Sequence, residues 1–286
     1  MAGILYIVAT PIGNLEDMTF RAVRTLKEVD LIAAEDTRHS RKLLAHFGIT
    51  TRLTSYYDHN QTLKGEQIIA ALLQGKQVAL ISDAGTPCIS DPGYQLVRDA
   101  LTAGIRVVPI PGACAAVAAL AMAGLPTDSF TFAGFPPNKE GKRRGFLASL
   151  ASAHGTVVLY EAPHRVAATL ADIAAVLGER QVVVARELTK LYEEALHGTA
   201  GQVRELVQDG RERGEVVLLI APADEQSQIS AGPLPEEQLQ QALEQGHSVK
   251  EAAALVAAAT GLPRRELYAQ TLLLKKNLEN TLKGDC

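Results

Sequence analysis

Residues 78–93 read VALISDAGTPCISDPG, an apolar run that empties into a stretch of aspartates, serines, glycines and prolines. Val78, Ala79, Leu80 and Ile81 show no alternation of apolar with polar side chains. A strand wetted on one face alternates, so this one belongs in the middle of a parallel sheet covered on both faces. Gly85 and Gly93 give the loop backbone conformations closed to other residues, and Pro87 and Pro92 stiffen it. An ordinary strand-to-helix connection needs only about two to six residues. The extra length and polarity predict a loop that holds a small molecule against its own amides.

Two other apolar runs end the same way. Ile4–Ala9 leads into TPIGNLEDMT, with Pro11 and Gly13 in the turn, and Val107–Ile110 leads into PGACAA, where Pro111, Gly112 and Ala113 open an alanine-rich helix. Ligands of open α/β sheets bind outside the carboxyl ends of the strands, so the three loops are expected to converge. Glu35 and Asp36 follow Gly13 at about the distance of a ribose-binding acid in a dinucleotide site. The first turn holds one glycine where that fingerprint needs three, which argues against nicotinamide or flavin.

The alternation of apolar runs with amphipathic stretches predicts an α/β fold in two domains, 1–124 and 125–222, with a break at Gly124, Leu125, Pro126. Strands are expected near 4–9, 30–34, 52–55, 77–82 and 105–110, then near 129–134, 156–160, 181–186, 191–197 and 215–220. Helices are expected near 19–28, 37–47, 62–74, 92–103, 113–123 and 164–177. Residues 222–235 read as a linker, and 235–286 as a helical tail resembling a helix-turn-helix. There Ser248 suits a helix cap, Val249, Ala252, Ala253 and Val256 share one face, and Pro263 suits a helix start. Arg264, Arg265, Lys275 and Lys276 face outward as a solvated face or a nucleic-acid contact.

At 286 residues and 47% hydrophobic, the chain can bury a substantial core. It carries no apolar run of the roughly 18 residues a membrane span needs and no basic-then-apolar leader, so a cytoplasmic protein without a membrane partner is expected. Cys88, Cys114 and Cys286 lack metal-like spacing, which argues against a disulfide framework or a metal site. Cys88 and Cys114 read as packing residues.

A net charge of −4 excludes a general polyanion binder, so RNA binding would need local clusters of cations. Lys139, Lys142, Arg143 and Arg144 form one, in an expected loop with Pro136, Pro137 and Gly141; Arg38, His39, Arg41 and Lys42 form another. Each is either solvated surface or a phosphate contact. Acids close several strands: Glu35 and Asp36, Asp83, Glu161 and Glu187. Helix capping is the structural alternative to catalysis, and Asp36, Ser82 and Asp91 suit it. Glu161 with Arg165, and Glu187 with Lys190, also read as ion pairs.

Seven segments in order resemble one family: VATPIGNLEDMT, AEDTRHSRKLL, LISDAGTPCISDPG, IPGACAA, FAGFPPNKEGKRR, YEAPHR and RELTKLYEE. They are similar to the tetrapyrrole-methylase superfamily of S-adenosylmethionine-dependent methyltransferases, in the branch that methylates the 2′-hydroxyl of a cytidine in small-subunit ribosomal RNA. The resemblance covers nearly the whole chain. It implies two α/β domains with the cofactor in a cleft between them, and a homodimer acting on the RNA or the assembled small subunit. It implies cofactor binding by Pro11, Asp83, Gly85, Thr86, Pro111, Gly112, Ala113, Tyr160 and Glu161, and RNA binding by Lys139, Lys142, Arg143 and Arg144. It also implies a base such as Asp36 or Glu187, with Arg38 or Lys190 steadying negative charge. A tetrapyrrole acceptor and a non-enzymatic RNA-binding assembly factor are the alternatives; the basic segment and the tail argue against the first, and the intact cofactor loops against the second.

Overall fold

A computed structural model describes residues 2–57, 59–207, 215–223, 235–245, 247–260 and 263–284. Compact packing divides the chain into 1–222 and 223–286. The first unit holds two five-stranded sheets.

In the first sheet β1 (Ile4–Val8), β2 (Leu31–Ala34), β3 (Leu53–Ser55), β4 (Val78–Ile81) and β5 (Arg106–Ile110) run parallel in the order β3-β2-β4-β1-β5. They alternate with α1 (Phe20–Glu28), α2 (Thr37–His46), α3 (Gln61–Leu73), α4 (Tyr94–Thr102) and α5 (Ala115–Met122). All four residues of β4 are buried, and the two-residue pleat sends them to opposite faces. Ala79 and Ile81 pack with Leu26 of α1 and Leu44 of α2, while Val78 and Leu80 pack with Leu72 of α3 and Leu96 of α4. Both faces are covered, which is why this strand carries no polar alternation.

The second sheet comprises β6 (Phe130–Gly134), β7 (Thr156–Glu161), β8 (Gln181–Arg186), β9 (Glu194–Thr199) and β10 (Val216–Ile220) in the order β6-β7-β10-β8-β9. Only β6 and β7 pair in parallel; β10 runs antiparallel to both of its neighbours. One face packs against α6 (Glu140–Ser149), α7 (Val166–Leu177) and α8 (Ala200–Val207) through Leu147, Leu170 and Val203. The other receives α5, whose Ala116, Ala119 and Leu120 join Val158, Val183 and Val217. The last helix before Gly124 thus packs on the second sheet. Its alanines let it lie close to the strands.

Two helices depart from the expected pattern. Residues 140–149, expected as loop, form α6, and 200–207 form α8. Pro136 and Pro137 precede α6 rather than interrupting it, so they do not oppose the helix.

The second unit contains helices Pro235–Glu244, Val249–Thr260 and Arg264–Gly284. A reciprocal cap opens the middle one: the Glu251 amide donates to Ser248 Oγ, and the Ser248 amide donates to Glu251 Oε2. Ala252, Ala253 and Val256 are buried with Leu239 and Leu267, and Arg264, Arg265 and Lys275 are exposed. Most of the expected linker, at 224–234, lies outside the described residues, as do Gly261, Leu262 and the side chains of Lys276 and Leu278.

Candidate active site

The loops after β1 and β4 are tied together. The Thr10 amide donates to Gly85 O (2.8 Å), the Gly85 amide donates back to Thr10 O (3.0 Å), and buried Thr10 Oγ1 donates to Ser82 O (3.2 Å). The loop after β5 joins through Thr86 Oγ1, which donates to Ala113 O (3.0 Å). Gly85 has φ +80°, where a side chain is strained. Cys88 (φ 73°) and Ser90 (φ 65°) adopt similar conformations without being glycine, and so do Glu187 (φ 50°) and Thr189 (φ 66°) in the turn after β8. Such residues cost about 1–3 kcal/mol each and cluster where strain serves a site. Among the described residues these four fall in just two loops, after β4 and after β8.

The loop after β4 borders a cavity of 360 Å³ between the sheets. Asp83, Ala84, Gly85 and Thr86 line one side, Cys114 and Ala115 another, and Tyr160, Glu161 and Ala162 the side of the second sheet. The Tyr160 ring meets Phe132 and Phe135 edge-on at 4.9 and 5.6 Å, and its hydroxyl accepts the Ala116 amide. Burial, helped by nearby Cys114, pushes the Tyr160 phenol up to about 12. Burial, with Asp91 adding to it, pushes the Cys88 thiol up to about 11, so it packs as a protonated thiol.

Charge in the cavity has one sign. Glu35, Asp83, Asp91, Glu161 and Glu215 line it, and no lysine, arginine or histidine does, among the described residues. Asp91 was expected to cap α4. Instead α4 starts after Gly93, without a side-chain cap, and Asp91 faces the cavity. Burial raises its carboxyl above the ordinary value, with a hydrogen bond from Ser82 opposing and Asp83 and Glu215 adding to the rise.

A second hollow of 420 Å³ shares Ile12, Asp83, Ala84 and Glu215 with the first. Its other walls carry His39, Lys42 and His46 of α2, with Pro11 and Lys190. Lys190 Nζ lies 3.0 Å from Glu187 Oε1 and 3.9 Å from Glu215 Oε2.

The expected site residues therefore separate by position. Asp83, Gly85, Thr86, Tyr160 and Glu161 line the cavity. Pro11 lines the second hollow. Pro111 and Gly112 are exposed outside both, and Ala113 contributes its carbonyl to Thr86, so the third loop offers Cys114 and Ala115 instead. Glu161 is wholly buried: its Oε2 accepts from Thr169 Oγ1 (2.6 Å), and Arg165 Nε lies 3.4 Å from Oε1. Asp36 caps α2 by accepting the Arg38 amide (2.7 Å) and pairs with the Arg38 guanidinium (2.9 Å). The Arg38 hydrogen bond holds the Asp36 carboxyl down at about 2. Neither Asp36, Arg38 nor Glu187 lines either hollow.

The 139–144 cluster needs correcting. It begins a helix, and Arg143 is buried at 6% exposure, with Nε 2.7 Å from Asp172 Oδ2. Arg144 Nε pairs with Asp172 Oδ1 and its Nη2 with Glu140 Oε1, both at 2.7 Å. Arg143 is a packing ion pair. Lys139, Lys142 and Arg144 remain exposed.

Glu215 lies at the amino end of its strand, where the carboxyl-end rule for open α/β sheets does not look. β10 is antiparallel to β7 and β8, with Val216 paired to Glu161 and Arg186, so the residue preceding this strand arrives at the same edge. An acid directly before the run VVLLI was the available signal.

Residues 4–204 match the family model described as Tetrapyrrole (Corrin/Porphyrin) Methylases, and residues 232–275 match one described as RsmI C-terminal HTH domain. The chain is 49% identical over 276 residues to "Ribosomal RNA small subunit methyltransferase I" of Synechocystis, covering 96% of this chain and 99% of the relative. The protein of that name from Halalkalibacterium halodurans is 47% identical over 270 residues, covering 93% of each chain. Among solved structures, a cobalt precorrin-4 methyltransferase of cobalamin biosynthesis aligns with TM-score 0.58 at 17% identity, over 76% of this chain and 94% of that one. A uroporphyrin-III-C-methyltransferase from Thermus thermophilus aligns with TM-score 0.55 at 21% identity, over 77% and 94%. Identities this low speak to the fold alone, whereas the full-length relatives near half identity speak to kinship, and the two family models span both units. The chain belongs to the tetrapyrrole (corrin/porphyrin) methylase family, alongside the proteins called ribosomal RNA small subunit methyltransferase I.

Proposed function

We propose that the protein transfers a methyl group from S-adenosylmethionine to the ribose 2′-hydroxyl of a cytidine in small-subunit ribosomal RNA. The observation that carries this reading is a cavity lined by Glu35, Asp83, Asp91 and Glu215, with Glu161 paired to Arg165 beneath it and, among the described residues, no lysine, arginine or histidine in the lining. S-adenosylmethionine brings a sulfonium and an ammonium, and such a lining suits positive charge while repelling phosphate. The cavity's 360 Å³ falls in the usual range for small-molecule sites, about 300–1,000 Å³. The names of the relatives supply the RNA, and the resemblance of the motifs supplies the cytidine 2′-hydroxyl. The protein would work in the cytoplasm as a homodimer, on RNA or on the assembled subunit. Exposed Val117 and Met122 of α5, with Phe130, give a second copy apolar surface to cover.

The residues that fit the cofactor are Asp83–Thr86, Cys114, Ala115 and Tyr160–Ala162. Bound there, it would supply an electrophilic methyl group. Tyr160 and Phe135 form an aromatic part of the cavity wall. A ribose hydroxyl must lose its proton as it attacks, and a carboxylate placed between cofactor and acceptor can take it. Asp83 and Glu215 are the acids on the wall common to both hollows. Asp83 Oδ1 is fixed by the Asp36 amide at 3.0 Å. We assign proton acceptance to this pair, charge compensation to Lys190, and orientation of Lys190 to Glu187 through their 3.0 Å contact. Asp36, with its lowered pKa and its guanidinium partner, keeps α2 and Asp83 in place.

Single-turnover transfer of labelled methyl to unmethylated small subunits tests these roles. At saturating cofactor, Asp83→Asn or Glu215→Gln should slow the step by about a hundredfold. Near-normal rates in both would mean that the proton leaves to water. Titration calorimetry tests the cofactor itself, since a pure RNA-binding factor should give no heat with S-adenosylmethionine.

A further inference from the structure

The second cation-rich segment found in the sequence, Arg38 to Lys42, has no part in the cofactor cavity. On α2 its members diverge. Arg38 turns back to Asp36, and Arg41 is exposed outside the hollow, while His39, Lys42 and His46, at i, i+3 and i+7, line one wall of the second hollow. Lys190 approaches from another element, the strained turn after β8. Gly13 makes room for it, because a Cβ there would lie 2.5 Å from Lys190 Cγ and 2.8 Å from Cε. Across the shared wall cations enter the lining, although Lys190 is already paired with Glu187 and Glu215. Among the described residues the charged side chains lining the cavity are all acids, whereas the hollow adds two lysines and two histidines to Asp83 and Glu215.

From this juxtaposition we propose that the second hollow is the acceptor-nucleotide subsite. His39, Lys42, His46 and Lys190 would hold the ribose-phosphate backbone on either side of the reacting ribose. The RNA strand then crosses α2 rather than centring on the α6 cluster. The arrangement separates two ligands of opposite charge with one wall of carboxylates. A phosphate is drawn to the lysines and kept out of the acid-lined cavity, while the reacting hydroxyl meets Asp83 and Glu215 at the boundary. The inference rests on the methyl-transfer reading and adds where the acceptor lies.

Unmethylated small subunits from cells lacking this chain serve as the probe, with labelled S-adenosylmethionine, and apparent KM and its salt dependence are measured. Lys42→Ala should raise KM for subunits about tenfold and reduce the salt slope by about one phosphate contact, with cofactor affinity by calorimetry unchanged. His39→Ala should act in the same direction, Lys42→Arg should recover most of the loss, and Arg41→Ala should change KM by less than about twofold. These side chains are exposed, so the variants fold, and melting temperature verifies it. Methyl transfer by the unaltered chain, with wild-type KM and salt slope in Lys42→Ala, overturns the subsite and leaves the function standing. An equal loss in Arg41→Ala also overturns it, because affinity would then reflect the charge of the whole helix. Absence of transfer by the unaltered chain refutes the methyl-transfer reading, and the subsite with it.

Discussion

Replacing Gly85 with alanine tests the cofactor loop at the position where its backbone is least able to adapt. At φ +80° an alanine costs about 1–2 kcal/mol relative to its preferred conformations. Space adds little, since the new Cβ would lie 3.4 Å from Ile12 Cγ2, an ordinary van der Waals contact. Against a total stability of about 5–15 kcal/mol the protein stays folded, and the melting temperature should fall by about 2–8 °C at about 2–4 °C per kcal/mol. Relaxation of φ pulls residue 85 away from Thr10, so the two reciprocal hydrogen bonds between the loops after β1 and β4 weaken together. Asp83, Ala84 and Thr86 then move relative to the cavity. A tenfold loss in cofactor affinity is expected, equal to about 1.4 kcal/mol. At a concentration one hundred times the original Kd, the protection that S-adenosylmethionine gives against unfolding should drop from about 2.7 to about 1.4 kcal/mol. Thermal scans with and without the cofactor, supported by calorimetry, measure both effects. A lowered melting temperature with unchanged affinity would refute the placement of the cofactor on this loop.

Two further expectations concern charge. Asp172→Ala leaves the Arg143 guanidinium buried without its carboxylate, so it should cost about 3–5 kcal/mol, whereas Arg144→Ala, half exposed, should cost about 0–1 kcal/mol; denaturant unfolding distinguishes them, and equal losses would contradict the buried pair. Asp36 has a folded pKa of about 2, below its unfolded value, so its contribution to stability is present above pH 4 or so and is lost as pH falls through about 2. Arg38→Ala removes the main cause and should return the Asp36 titration, followed by NMR, toward 3.8; an unmoved titration would mean that the arginine is not its partner.

The sheets were legible because burial on both faces leaves unbroken apolar runs, as in β4 and β10. The loop 82–93 was legible because strained backbone demands particular residues. What escaped the sequence depends on contacts distant along the chain. The partner of Arg143 and Arg144 is Asp172, almost thirty residues away, so a run of cations looked like a solvated loop. Asp91 read as a cap because the short polar residues that cap helices also line cavities. Glu215 was hidden by strand direction, which apolar periodicity does not encode. The hollow beside α2 required both the helical face of Lys42 and the position of Lys190, contributed by different sheets' loops.

Digestion of the methylated RNA gives the most direct test of the central claim. Purified protein, labelled S-adenosylmethionine and small subunits from cells lacking this chain are combined, and the RNA is hydrolysed with alkali. A 2′-O-methyl group blocks cleavage of the adjoining phosphodiester, so the label should appear in a single alkali-resistant dinucleotide whose methylated ribose carries cytosine. Label on a base, label spread over many ribose positions, or no label with the cofactor demonstrably bound would contradict the account.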